Sequence, residues 1–191
     1  LYINSGSGAT DDNGSLTGLG NLVVGYDEND GSNTKSGAHN IIVGANHSYT
    51  SHSGFLSGLG NEISAPYASV LGGAENVASA EGAMISGGTN NTASGSYAAV
   101  SGGDSNTASG NYSSISGGYS GIASGMYSTV SSGDSNTASG DYSAVTAGIS
   151  NTSSAVGSVI SGGRSNDATA NYSVIAAGSS NVVSGIYGVI V

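Results

Sequence analysis

The chain has 191 residues, with 34 Gly, a single Pro and no Cys, so disulfides and thiol chemistry play no part in its fold. Lys and Arg together number 2 against 12 Asp and Glu, which gives a net charge of −10. Because nucleic acids and anionic membrane surfaces attract proteins through Lys and Arg, we expect neither as a partner. No apolar run reaches the roughly 18 residues of a spanning helix, so we expect no membrane insertion. No signal peptide is recognisable either, so we expect a secreted protein to be represented by its mature part or a fragment.

The N-terminal region, residues 1–55, carries a loose strand-then-Gly pattern. The segments from Gly18 to Gly25 and from Gly37 to Gly44 match each other at an offset of 19. The stretches that follow them, residues 26–36 and 45–51, lack the pattern. We therefore predict early rungs with protruding loops in residues 1–55, and a further edge strand at residues 1–4.

This N-terminal region also holds the candidate metal ligands. Hard carboxylate oxygens suit Ca²⁺, and Asp27, Glu28 and Asp30 are close together in sequence. Their spacing is not that of an EF-hand, so we favour a solvated acidic loop and expect no cofactor, with Ca²⁺ as the alternative. The histidines, His39, His47 and His52, offer a metal site shared around a three-fold axis, but polar residues of loops and rung edges are the preferred interpretation.

A strict period of fifteen begins at Leu56 and runs to Ile190, and its nine repeats follow one another without insertion or deletion. A composition rich in Gly and Ser would otherwise indicate disorder, but disordered sequence does not keep a gapless period. We predict an all-β fold, a parallel β-solenoid or β-roll of about 11 to 12 rungs. The regular rungs occupy residues 56–191 and form one continuous domain with the irregular rungs of residues 1–55.

Two columns of the repeat define its corner and its core. The third position is Gly in every repeat, which predicts a corner with positive φ or a close backbone approach. The fifteenth position is always branched and aliphatic, which predicts a row of side chains stacked in the core. The corner glycines are Gly58, Gly73, Gly88, Gly103, Gly118, Gly133, Gly148, Gly163 and Gly178. The core residues are Val70, Ile85, Val100, Ile115, Val130, Val145, Ile160, Ile175 and Ile190.

The remaining columns complete the rung. The eighth position is mostly Ala and is predicted to face the core row from the opposite strand. Asn fills the sixth position in eight repeats, and Asn side chains can bond from rung to rung at a bend. Tyr fills the twelfth position in seven repeats, and strand alternation within Tyr-Ser-x-Val-Ser predicts that it points outward. These residues are Tyr67, Tyr97, Tyr112, Tyr127, Tyr142, Tyr172 and Tyr187.

Self-association is expected from the thin core. One branched side chain per rung buries too little apolar surface to offset the backbone entropy of an ordered rung. The outward Tyr column is flanked by Met84, Val159, Val174 and Val189, and an apolar stripe of that length is unusual on a monomer. We favour the Tyr column as an oligomer interface. The alternative is an exposed stripe that stacks on sugar rings or collagen-like ligands.

The recurring NTASG, SGG and Tyr-Ser-x-Val-Ser elements resemble the head repeats of trimeric autotransporter adhesins, over residues 16–191. The resemblance implies a left-handed parallel β-roll, side-by-side association into a homotrimer, and a location outside the cell or on the bacterial surface. Similar repeats also occur in phage fibres. The regular pattern stops one residue into a tenth repeat, so either an excised head or end-to-end stacking into a filament is expected.

No catalytic constellation is visible, and we expect no enzyme. The favoured function is an extracellular structural or adhesive fibre module that binds itself and surface glycans or proteins of a host or of the environment. The alternative is an ice-binding solenoid, because the Thr-Ala-Ser strand would form a flat hydroxyl array. Its pairs are Thr92/Ser94, Thr107/Ser109, Thr137/Ser139 and Thr152/Ser154, and Val77, Ile122, Asp167 and Val182 interrupt its Thr column. A polysaccharide-active enzyme ranks third, since the acidic residues are scattered.

Overall fold

A computed structural model describes residues 6–29 and 31–191 of the chain. Over these residues the protein is a parallel β-solenoid of about 11 coils, which confirms the predicted fold. The described helical structure is one 3-10 turn at Asp12–Gly14. The predicted edge strand at residues 1–4 lies outside the described residues, and the left-handed winding stays a prediction.

Two parallel sheets run along the solenoid, and every strand pairs with its equivalent one coil away. The twelve-stranded sheet contains β1 (Leu22–Val24), β2 (Ile41–Ala45), β4 (Phe55–Leu59), β6 (Ser69–Val70), β8 (Met84–Ile85), β10 (Ala99–Val100), β12 (Ser114–Ile115), β14 (Thr129–Val130), β16 (Ala144–Val145), β18 (Val159–Ile160), β20 (Val174–Ile175) and β22 (Val189–Ile190). The ten-stranded sheet contains β3 (Ser48–Tyr49), β5 (Glu62–Ile63), β7 (Val77–Ala78), β9 (Thr92–Ala93), β11 (Thr107–Ala108), β13 (Ile122–Ala123), β15 (Thr137–Ala138), β17 (Thr152–Ser153), β19 (Asp167–Ala168) and β21 (Val182–Val183). A third row of isolated parallel bridges passes through the fourth position of each repeat, from Leu59 to Ser179.

The core lies between the two sheets and follows the predicted columns. The branched residues from Val70 to Ile175 are at most 1% exposed, whereas Ile190 in the last coil is only partly buried. The Ala residues of the eighth position, such as Ala93 and Ala108, are fully buried on the opposite sheet. Both columns pack into one continuous cluster along the rod, as the sequence predicts.

The strands are shorter than predicted. The segment Tyr-Ser-x-Val-Ser contributes only its x-Val pair to a strand, as in β14 and β16. The prediction that Tyr lies on a strand is wrong, because the seven Tyr residues have φ between 57° and 61° and form a turn before the strand. The chain bends at several corners in each coil, so only two residues at a time remain extended.

The pairing register also differs from the predicted one at Leu56, where the predicted repeat begins. Leu56 pairs with Val70, an offset one shorter than the regular period, so Leu56 belongs to the core row of the preceding coil. Strands β2 and β4 continue without a break from the core residue to the corner Gly. In later coils, one more residue separates these two positions. The prediction that residues 45–51 form a protruding loop is wrong, because they end β2 and form β3 in a short coil. The predicted offset of 19 is confirmed, since Leu22 pairs with Ile41.

The corner glycines are required by backbone packing. Gly103 has a φ of 91°, and a Cβ atom there would collide with the carbonyl oxygen of Gly118 in the next coil. A side chain would therefore force neighbouring coils apart. The same collision recurs along most of this column, which confirms the predicted corner.

The Asn column forms the predicted ladder inside the solenoid. The Oδ1 atom of Asn61 accepts hydrogen bonds from the backbone N–H of Asn76 at 2.8 Å and from its Nδ2 at 3.2 Å. The Nδ2 atoms also donate to corner carbonyls, as Asn91 does to Gly103 at 3.0 Å. Asn61 and Asn76 are fully buried, so these bonds satisfy polar groups that have no access to water.

The ladder has a gap and a different first residue. Gly121 has no side chain to accept a bond, although its own N–H donates to Oδ1 of Asn106 at 2.8 Å. Before Asn61, the equivalent place is taken by His47, which is fully buried. Its Nδ1 accepts from the N–H of Asn61 at 3.2 Å, so its Nε2 carries the proton and donates to the Val43 carbonyl at 3.2 Å. His47 therefore acts as the first acceptor of the ladder.

Candidate interaction surfaces

The Tyr column forms ladders of stacked rings along the outside of the rod. Tyr97, Tyr112, Tyr127 and Tyr142 stack with centroid distances of 5.5, 4.9 and 5.2 Å and interplanar angles of 8–12°. Tyr172 and Tyr187 form a second stack at 5.5 Å. The seven side chains are 45–72% exposed, because the ring edges and hydroxyl groups reach solvent while the faces cover one another.

Two glycines interrupt the Tyr column, one before the first ladder and one between the two ladders. Gly82 and Gly157 occupy the twelfth position of their repeats. Their φ values of 64° and 63° are close to those of the Tyr residues in the same column. The rings of Tyr97 and Tyr172 lie where a Cβ atom of the respective Gly would stand. The next Tyr ring along the rod therefore fills the space directly above each Gly.

The first ring of the column has a different neighbour. Tyr67 meets His52 edge to face, with centroids 5.6 Å apart. Farther along, the Tyr97 hydroxyl donates to Oε1 of Glu81 at 3.1 Å. This hydrogen bond and the charge of Glu81 raise the pKa of Tyr97 above its usual value. The column thus presents hydroxyl groups and ring edges to a partner, while the faces that sugar rings stack on are largely occupied.

The ten-stranded sheet presents the hydroxyl array. Thr92 and Thr107 pair in adjacent strands, as do Thr137 and Thr152. Ser94, Ser109, Ser139 and Ser154 follow two residues later and are exposed. Ile122 breaks the Thr column in the middle and is 41% exposed, and Asp167 follows Thr152 in it. The array is therefore divided into two blocks of two coils each.

Asp27 and Glu28, the two described members of the N-terminal acidic cluster, lie in different environments. Asp27 is 5% exposed, its Oδ2 lies 2.9 Å from Nζ of Lys35, and its Oδ1 accepts from the N–H of His47 at 3.1 Å. The solvated-loop interpretation is therefore wrong for Asp27. Glu28 is exposed, and its carbonyl oxygen accepts from Lys35. Asp30 lies outside the described residues.

Asp27 also affects a buried phenol. Tyr49 is 5% exposed, and burial, together with the charge of Asp27 and a hydrogen bond to it, raises the pKa of Tyr49. Among residues 6–29 and 31–191, no group of three or more His, Asp or Glu side chains could hold a metal ion. His47 serves the Asn ladder, and His39 Nδ1 contacts the carbonyl oxygen of Thr10 at 2.8 Å.

The outward column of the twelve-stranded sheet has no charged residue, and sequence reasoning did not single it out beyond four of its members. We call this surface the neutral face. Its residues are Leu22, Ile41, Phe55, Ser69, Met84, Ala99, Ser114, Thr129, Ala144, Val159, Val174 and Val189. All are at least partly accessible, while from β2 to β20 the residue after each, such as Val100, points into the core. The pairing register was needed to align the irregular N-terminal residues of this column with the regular ones.

The charged residues of the regular coils occupy other surfaces. Glu62 and Asp167 lie on the ten-stranded sheet, and Asp104, Asp134 and Arg164 lie on the bridge row between the sheets. The Tyr column beside the neutral face is itself uncharged, and the carboxylates closest to it, those of Glu81 and Asp141, belong to the turn residues just before it. The neutral face and the Tyr column beside it thus form a side of the described rod whose own residues carry no charge.

The chain matches no known protein family, and no curated protein is significantly similar to it in sequence. The resemblance to trimeric autotransporter heads thus depends on the repeat pattern alone. None of the helical structure in the described residues is long and apolar enough to cross a membrane.

Proposed function

We propose that the chain is a non-catalytic structural and adhesive fibre module that self-associates outside the cell or on a bacterial surface. The observation that supports this function is the regular repetition of one surface along a continuous rod. Consecutive coils lie about 4.8 Å apart, so the same side chains recur at that spacing on every side. The proposal requires no cofactor.

Repetition suits attachment because many weak contacts add up. A partner that engages one coil places its next group close to the next coil, so later contacts form at high effective concentration. The exposed hydroxyl groups of Tyr112 and Tyr127 are such a repeated pair, with ring centroids 4.9 Å apart. Glycans and extended protein segments on a host or environmental surface are the ligands that fit this pattern. By its resemblance to autotransporter heads, we propose a homotrimer as the assembled form.

The purified protein tests the proposal in two measurements. Light scattering over a range of concentrations gives the number of chains, and electron microscopy of the same sample distinguishes short rods from end-to-end filaments. Binding to arrayed glycans and to immobilised matrix proteins then tests adhesion, with a variant that carries Tyr112→Ala and Tyr127→Ala as the comparison. A monomer at every concentration that binds no surface would contradict the proposed function.

Ice binding is the second candidate, supported by one observation. The Thr and Ser hydroxyls of the ten-stranded sheet form two short blocks of a two-dimensional array, as between Thr92 and Thr107. The measurement is thermal hysteresis of the protein and of a Thr107→Leu, Thr137→Leu variant. A freezing-point gap that the variant loses would support ice binding, and the lack of any gap would remove this candidate.

A further inference from the structure

We propose that the neutral face is the surface through which copies of this chain pack against one another. This inference rests on the proposed self-association and assigns it to one side of the rod. The occupant is the neutral face of a second copy of the same chain, and in the proposed homotrimer the three neutral faces meet around the three-fold axis.

The composition of this column is unusual for a sheet exposed to water. Nine of its twelve residues are apolar, and the other three are Ser69, Ser114 and Thr129. The opposite side of the same strands is the solenoid core, so the sheet is apolar on both faces. Parallel sheets with that pattern are ordinarily covered on both sides. The ten-stranded sheet differs, because its outward column includes Glu62, Asp167 and four Thr residues.

Charge indicates which surface meets another copy. The chain has a net charge of −10, so two copies repel each other wherever their acidic surfaces meet. Asp104 and Asp134 lie on the bridge row, and Glu62 and Asp167 on the ten-stranded sheet. The neutral face is the side of the regular coils on which the strands of two rods can touch without bringing carboxylates together. Repulsion between carboxylates therefore disfavours contact through the ten-stranded sheet or the bridge row.

The area is sufficient for a specific interface. Twelve strands about 4.8 Å apart give a length of roughly 53 Å. The residues just before and just after each strand extend the width to roughly 13 Å, at about 3.3 Å per residue. The resulting area of roughly 700 Å² per copy is close to the roughly 800 Å² that each partner buries in a standard interface. The small side chains of Ala99, Ser114 and Ala144 let the backbones of two such sheets approach closely.

Matched charge substitutions test the assignment. The first variant carries Ala99→Glu and Ala144→Glu on the neutral face, and the control carries Thr107→Glu and Thr152→Glu on the ten-stranded sheet, whose column already contains Glu62 and Asp167. Both add the same charge. We expect light scattering to show at least a 100-fold weaker association for the first variant and little change for the control, with thermal unfolding confirming that both are folded.

A milder pair of variants changes only one accessible Ser hydroxyl to a thiol. The chain has no Cys, so Ser114→Cys on the neutral face and Ser109→Cys beside the ten-stranded sheet each introduce a single thiol. We expect maleimide to label residue 114 slowly at concentrations at which the protein associates and rapidly after dilution, while residue 109 reacts rapidly at both.

The outcomes separate the two proposals. If the unmodified protein associates but the neutral-face and control variants behave alike, the neutral face is the wrong surface and self-association stands. If the unmodified protein is monomeric at every concentration, both the neutral-face interface and the proposed self-association are wrong.

Discussion

At the scale of single residues, the solenoid depends on polar groups that are paired from coil to coil. Outside the coil of Gly121, the Asn ladder provides one side-chain acceptor per coil, and the N–H of Asn166, for example, donates to Oδ1 of Asn151 at 3.0 Å. Because Asn151 is fully buried, no water replaces a missing partner. The gap at Gly121 is therefore a weak point that a single substitution can repair.

We predict that Gly121→Asn stabilises the protein by about 1 kcal/mol, since the new Oδ1 can accept from the N–H of Asn136 as it does in other coils. Gly121 has no positive φ, so an L-residue fits its backbone. A Cβ atom there lies 3.0 Å from Oδ1 of Asn106 and 3.3 Å from Cγ1 of Val130, which requires shifts of a few tenths of an ångström. Thermal unfolding should show a midpoint about 2–4 °C higher.

The control for this substitution is Gly118→Asn in the same coil. Gly118 has a φ of 103°, and its Cβ would collide with the carbonyl oxygen of Gly133. The Gly118→Asn substitution should therefore lower the midpoint of thermal unfolding. Equal effects of the two substitutions, or a lower midpoint for Gly121→Asn, would show that the ladder gap does not limit stability.

Sequence reasoning found the residues that recur and missed those that occur once. Gly103 and Val100 were assigned correctly because the same residue type stands in every repeat, and one physical need explains each column. His47 was missed because its function is that of an Asn in another coil. The available signal was its place directly before β3, where Asn61 stands before β5.

At the scale of elements, the Tyr ladder combines an unfavourable backbone with favourable side-chain contacts. Tyr127 has a φ of 57°, a region that costs an L-residue roughly 1–2 kcal/mol. It stacks on Tyr112 at 4.9 Å and on Tyr142 at 5.2 Å, and each such pair contributes about 0.5–1.5 kcal/mol. The prediction that Tyr lies on a strand failed because the strand pattern of alternate residues gives no sign of this turn.

We predict that Tyr127→Ala is about 1 kcal/mol less stable than Tyr127→Gly, although Gly is the smaller residue. Both substitutions remove the two stacking contacts, but only Gly relieves the backbone at positive φ. Urea unfolding of the two variants and of the unmodified protein measures the difference. If Ala proved as stable as Gly, the turn would not be held in the left-handed region.

The N-terminal coils contain a different element, the partly buried ion pair of Asp27 and Lys35 beside the buried phenol of Tyr49. Burial and Asp27 raise the pKa of Tyr49, so the folded protein holds this proton more tightly than the unfolded chain does. The contribution to stability is complete below the unfolded pKa of about 10 and is lost as the pH rises through the higher folded value. We predict that Tyr49→Phe reduces the loss of stability above pH 10.

Tyr26→Phe is the matched control, because Tyr26 is 93% exposed. Unfolding midpoints measured from pH 9 to pH 12 for both variants test the assignment. A steep alkaline decline that is the same in Tyr49→Phe and in the unmodified protein would show that Tyr49 is not responsible.

At the scale of the whole molecule, each coil contacts chiefly its two neighbours, so stability is close to a sum of coil and interface contributions. The period predicted this architecture, because nine gapless repeats permit only a stack in which equivalent residues meet. It did not predict which side of the rod is uncharged in the first coils. That property depends on a register in which Ile41, Phe55 and Ser69 align at an offset one shorter than the regular period.

The same additivity makes whole coils removable, and we predict that deleting residues 116–130 leaves the fold intact without lowering the unfolding midpoint. The deletion joins Ile115 to Ser131, keeps every column in register and removes the coil that contains Gly121. Asn106 and Asn136 then become neighbours, so the ladder loses its gap. The control removes residues 101–115, which shortens the rod equally and leaves three stacked Tyr rings in the first ladder, as the first deletion does, but keeps Gly121. We expect a lower unfolding midpoint for the control than for the first deletion. The reverse order would show that closing the gap in the Asn ladder does not stabilise the rod.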